Sequence, residues 1–111
     1  MRSFIHAFRG VATLIRTQRN AQVHAVAAGL VVAAGFALEV SSSEWCVLVL
    51  AIGCVVSAEA MNTGIEFVCD ALHPEQHPMI GQAKDVGAAG VLIMALAAAV
   101  VGLLVFLPHI S

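Results

Sequence analysis

Charge is what this chain has least of. Asp, Glu, Lys and Arg make up 11% of its 111 residues, against 60% hydrophobic ones, and the mean hydropathy is +0.95. A soluble domain carries about 25% charged and roughly 45–50% apolar residues. A water-soluble globule this small has a high ratio of surface to volume and needs more polar groups to cover it. An ordinary soluble enzyme and a disordered tail are therefore excluded. So is a nucleic-acid binder: five Lys and Arg against seven Asp and Glu give a net charge of −2, with no basic patch. The phosphate-binding loop GxxxxGK[ST] is missing, because Gly81-Gln82-Ala83-Lys84 is too short to form one. The three cysteines, Cys46, Cys54 and Cys69, stand at no metal or redox spacing and read as small apolar fillers. Internal repeats and low-complexity linkers are also lacking. The amino-terminal residues do not have a signal-peptide pattern, since their basic region is long and periodic and the apolar run starts late.

What is present is three apolar runs, at residues 23–38, 45–58 and 86–107. A hydrocarbon core of ~30 Å needs about 20 helical residues. The third run meets that length by itself, and the first two meet it with their flanks. In lipid every backbone group must be paired within its own segment, so the spans are helices. The expected architecture is an all-α membrane protein of one domain over residues 1–111. Three transmembrane helices cover about 21–40, 44–72 and 84–107, behind an amphipathic surface helix over 1–20. In that first segment Phe4, Phe8, Val11 and Ile15 recur at helical spacing, while Arg2, Arg9 and Arg16 repeat every seven residues on another face. All five basic residues fall before the first run or between the second and third. The positive-inside rule then places the amino terminus in the cytoplasm and the carboxyl terminus outside. Small residues, among them Gly29, Gly35, Gly87, Ala88 and Gly102, allow close helix approach and self-association.

The chemistry is concentrated after Ser57. Glu59, Asn62, Glu66 and Asp70 are spaced three, four and four residues apart, so they fall within about 80° on one helical face, spread over ~16 Å. A carboxylate facing lipid costs ~2.5–3.5 kcal/mol at mid-membrane even on the mildest scale, so this stripe must face a protein crevice or the wet interface. Lys84 and Asp85 lie where the third helix is expected to begin, on the same side. Four acids against one lysine leave an excess of negative charge that a cation would relieve. Oxygen donors of this kind select Mg²⁺ or Ca²⁺ over zinc, and Mg²⁺ completes its shell with water and phosphate oxygens. The residues therefore predict a metal–phosphate site at the membrane surface. A small ion or proton translocator is the competing reading of an acidic stripe. It would need polar groups through the whole membrane thickness, and the third span has none.

These residues also carry a resemblance. Glu59-Ala60-Met61-Asn62-Thr63-Gly64-Ile65-Glu66-Phe67-Val68-Cys69-Asp70, followed at a fixed distance by Ala83-Lys84-Asp85-Val86-Gly87-Ala88-Ala89, resembles the two motifs of the prokaryotic diacylglycerol kinase family, which includes undecaprenol kinases. The likeness runs from about Phe8 to Pro108. It implies an integral-membrane lipid kinase of the bacterial cytoplasmic membrane, usually a homotrimer with sites between protomers. Such a kinase moves the γ-phosphate of ATP to a lipid alcohol, diacylglycerol or undecaprenol, with Mg²⁺. Carried over, Glu59 is the general base and Glu66 a metal ligand. Asn62 orients Glu59 or the phosphates, Lys84 contacts the ATP phosphates, and Asp70 and Asp85 support the nucleotide end. Many members have a glutamate where this chain has Gln18, which would hold metal or nucleotide through its carbonyl oxygen without a charge. Trp45 after Glu44 and the final Phe106-Leu107-Pro108 resemble the undecaprenol-kinase branch slightly more. His73 and His77, beside Pro74 and Pro78, read as solvated loop histidines, and His24 and His109 as interfacial ones.

Overall fold

The computed structural model describes residues 2–72 and 77–111. They form four helices: α1 (Arg2–Thr17), α2 (Arg19–Ala37), α3 (Ser42–Leu72) and α4 (Pro78–Ile110). No strand occurs among the described residues. α2, α3 and α4 are each long and apolar enough to cross a membrane. At 1.5 Å per residue the 31 residues of α3 reach about 46 Å, well beyond the hydrocarbon core, so one end must stand in the interface. α3 and α4 share the most extensive packing, and α2 lies against α3. Much of the exterior is large and apolar, with Leu30, Phe36, Leu50, Leu92, Ile93 and Leu104 all exposed. That surface suits a solvent of acyl chains.

Each junction has a local cause. α1 and α2 are separated by a single residue, Gln18, which is extended at φ −111°, ψ 114°. Its side-chain amide donates to Thr17 Oγ1 at 3.1 Å, and the Thr17 hydroxyl donates to Thr13 O at 2.7 Å. Gln22 Nε2 reaches back to Ile15 O at 2.9 Å and ties the two helices across the corner.

α2 ends in a Schellman turn. Val40 N–H donates to Gly35 O at 3.2 Å and Glu39 N–H to Phe36 O at 3.3 Å, with Glu39 in the left-handed region at φ 52°. Two residues later a reciprocal capping box starts α3. Ser41 N–H donates to Glu44 Oε1 at 2.8 Å, and Glu44 N–H donates to Ser41 Oγ at 3.2 Å. Beside these turns Val40, Leu48 and Val105 form a buried cluster with Trp45 against it. The Trp45 indole fills the notch left by Gly35, where a Cβ would stand 2.5 Å from the ring. At the same end His109 Nε2 donates to the Glu44 carboxylate at 3.0 and 3.1 Å, joining α4 to α3.

The helix bounds differ from expectation most at α4, which begins at Pro78 and not near residue 84. His77 caps it, accepting the Met79 N–H on Nδ1 at 3.1 Å, and Pro78 takes the first helical position, where its missing N–H is harmless. Lys84 and Asp85 consequently sit inside α4. The reading of His73 as a loop histidine lies outside the described residues. Cys69 is buried, as a filler would be, whereas Cys46 and Cys54 are exposed.

Candidate active site

The polar face of α3 is graded in depth. Glu59 is 2% exposed, and Asn62 and Thr63, one turn on, are buried with it. Glu66 is half-buried and Asp70 exposed. The helical period does this: residues at intervals of three and four return to the same side, and that side packs where α4 and α2 converge. Three buried oxygens there have no hydrogen-bond partner: Glu59 Oε2, Asn62 Oδ1 and Thr63 Oγ1. Buried polar atoms are almost always satisfied, and an orphan costs roughly 1–3 kcal/mol. Three on one face make a polar patch with unused hydrogen-bonding capacity.

α4 is shaped to allow this. A Cβ built on Gly87 would collide with Asn62 Oδ1, so the absence of a side chain there lets the amide in. Around Asn62 a cavity of about 610 Å³ opens between the helices, lined on α3 by Ala58 and Ile65 and on α4 by Gln82, Ala83 and Gly87. A second, apolar cavity of about 230 Å³ lies between α2, α3 and α4, with His24 in its wall beside Val55, Val56 and Ala95. His24 Nε2 stands 3.9 Å from Glu59 Oε2. Neither cavity is lined by a carboxylate.

Toward the α3–α4 junction the groups are wetter. Lys84 Nζ pairs with Asp70 Oδ1 at 2.5 Å, with Asp70 62% exposed and Lys84 36%. Glu66 is close enough to act on the Lys84 charge, although no hydrogen bond or ion pair engages it among the described residues. Asp85 is exposed and likewise unengaged. Gln18 uses its amide nitrogen on Thr17 and leaves its Oε1 without a hydrogen bond among the described residues. No group of three or more His, Cys, Asp and Glu side chains is gathered for a metal among them.

Glu59, Asn62, Glu66 and Asp70 are thus on one face, with Lys84 joined to them. Among the described residues no hydrogen bond or ion pair joins Asp85 or Gln18 to that group. Thr63 and Gly87 are additions to the site, and His24, expected as an interfacial histidine, stands beside Glu59. Thr63 carries a usable signal, four residues after Glu59. The roles of Gly87 and His24 depend on which helix faces which, and no spacing shows that.

A family profile, prokaryotic diacylglycerol kinase, matches residues 5–106. The chain belongs to this family. It is 42% identical over 109 residues to the undecaprenol kinase of Bacillus subtilis, a match covering 98% of this chain and 89% of that one. It is 35% identical over 107 residues to a diacylglycerol kinase of Synechocystis, covering 96% of this chain and 61% of that protein. With the diacylglycerol kinase of Escherichia coli K12 it shares 32% identity over 72 residues, which is 65% of this chain and 59% of the other. The chain therefore spans about three fifths of the length of the two diacylglycerol kinases. Family membership makes it a lipid kinase and a multi-pass membrane protein, and both motifs of the α3–α4 site lie inside the matched region.

Proposed function

We propose that this chain transfers the γ-phosphate of Mg-ATP to the hydroxyl of a membrane lipid alcohol, and that the alcohol is a polyprenol of the undecaprenol type. The observation that carries the chemistry is the set of three unpartnered buried oxygens on α3, beside a half-buried Glu66 and a lysine. The acceptor rests on the 42% identity to an undecaprenol kinase across nearly the whole chain. The protein acts as a homotrimer with its amino terminus in the cytoplasm. α1 lies on the membrane surface, with Phe4, Phe8, Val11 and Ile15 toward the acyl chains.

Glu59 takes the proton of the acceptor hydroxyl, which reaches it from the bilayer side. Asn62, held over Gly87, orients that hydroxyl or the phosphate it attacks. Lys84 contacts the nucleotide phosphates, Asp70 keeps its ammonium in place, and Asp85 supports the nucleotide end. The donor set fits magnesium, since every free atom is a hard oxygen. Glu66 and the unengaged Oε1 of Gln18 would hold it, and it would neutralise phosphate charge there. Phosphoryl transfer has a loose transition state, so positioning and charge neutralisation supply most of the rate. A general base adds on the order of 10²–10⁴. The translocator reading is disfavoured by the far end of the bundle, where Val40, Leu48 and Val105 form a buried apolar cluster.

The test is a detergent assay with γ-labelled Mg-ATP and a choice of undecaprenol, diacylglycerol and ceramide. Label in the undecaprenol product is expected. Label in diacylglycerol alone would overturn the acceptor assignment, and label in no lipid would overturn the catalytic reading.

A further inference from the structure

We propose that His24 carries away the proton that Glu59 takes from the acceptor. The inference rests on the kinase reading and adds to it one residue and one route. Each turnover breaks the acceptor O–H bond and the bond from the γ-phosphorus to the bridging oxygen of ATP, and joins the acceptor oxygen to that phosphorus. One proton is left over. Glu59 holds it, and must lose it before it can act again. At 2% exposure Glu59 has almost no contact with solvent, and its Oε2 has no hydrogen bond through which to pass a proton on.

His24 offers the way out. Its Nε2 is 3.9 Å from that oxygen, and among the described residues no other Lys, Arg or His nitrogen comes as close. The gap is longer than a hydrogen bond, as catalytic contacts often are before substrate closes the site. The His24 side chain is 21% exposed against 3% for Glu59. It stands about 9 Å along α2 from the Gln18 corner, and the turns between carry exposed Arg19, Asn20 and Gln22. Imidazole accepts on one ring nitrogen and releases from the other, which lysine and arginine cannot do in this role. The groups around it are few. α3 presents Glu59, with Glu66 two turns further on. On α2 itself exposed Arg19 lies five residues before His24. α4 contributes no titratable group to the cavity that His24 lines, only Ala95, Ala98, Ala99 and Gly102. His24 is therefore a positioning and proton-carrying partner of Glu59, and not itself in contact with the reacting phosphorus.

The full chain in detergent would be compared as wild type, Glu59→Gln, His24→Gln and His24→Ala, with kcat and KM measured across pH, with and without added imidazole. Matched gel-filtration elution and Mg-ATP binding confirm folding. Both His24 variants are expected to lose kcat on the order of tenfold to hundredfold with KM unchanged. Imidazole is expected to restore part of the rate to His24→Ala and to do nothing for the wild type or Glu59→Gln. Wild-type kcat in His24→Gln, or a loss that imidazole leaves untouched, would reduce His24 to a structural contact and overturn the proposal. A wild type that phosphorylates no lipid would instead overturn the kinase reading, a distinct outcome.

Discussion

Asn62 shows how much one side chain in this protein depends on another helix. Its Oδ1 is buried without a partner and fits only because α4 supplies Gly87 opposite it. Gly87→Val is expected to push the amide off its position. A displacement of about 1 Å at a reacting centre can cost 10²-fold in rate, so kcat should fall about that much while helix content by circular dichroism stays the same. Glu59→Gln is expected to abolish lipid phosphorylation and keep Mg-ATP binding, read by label transfer and by nucleotide titration. Retained activity would remove Glu59 from the base role. At this scale the acidic face of α3 was legible, because Glu59, Asn62, Glu66 and Asp70 repeat at helical intervals along their own helix. Thr63 obeyed the same period and was passed over. Gly87 and His24 were not legible as site residues, since their meaning lies in a facing helix that periodicity does not identify.

The elements themselves were easier to read than their ends. Three long apolar helices behind a shorter one follow from hydropathy, and α3 starts within two residues of expectation. The start of α4 differs because His77 and Pro78 read as loop in sequence, whereas with His77 as cap the proline opens the helix. The connection from α2 to α3 carries two further tests. Glu39 holds a left-handed conformation at φ 52°, which a side chain disfavours by roughly 1–2 kcal/mol. Glu39→Gly is therefore expected to raise the thermal midpoint in detergent, by less than that because glycine also loosens the unfolded chain. Glu44→Ala removes one half of the capping box and the acceptor for His109 together. A lowered midpoint with unchanged catalytic rate is the expected result, since Glu44 lies at the opposite end of α3 from the stripe.

Taken whole, the molecule is elongated, 52 × 35 × 20 Å, with an apolar exterior and few buried side chains. Glu59 Oε2, Asn62 Oδ1 and Thr63 Oγ1 lack partners, and no group of three metal-binding side chains is gathered among the described residues. Mixing Glu59→Gln chains with Lys84→Ala chains, each inactive alone, is expected to recover a fraction of wild-type activity if base and lysine act across the boundary between copies. No recovery over all mixing ratios would place both in one chain. The assembly was the least legible property, because small residues such as Gly29 and Gly102 permit close contact without specifying how many copies meet.

The fastenings are unevenly distributed along the bundle. Schellman turn, capping box, indole in its notch and the Glu44–His109 clasp all crowd one extremity. Across from them a solvent-washed bridge between Lys84 and Asp70 links α3 to α4. The turn between α2 and α3 is thereby held in one arrangement, and its backbone amides are expected to exchange slowly with solvent deuterium.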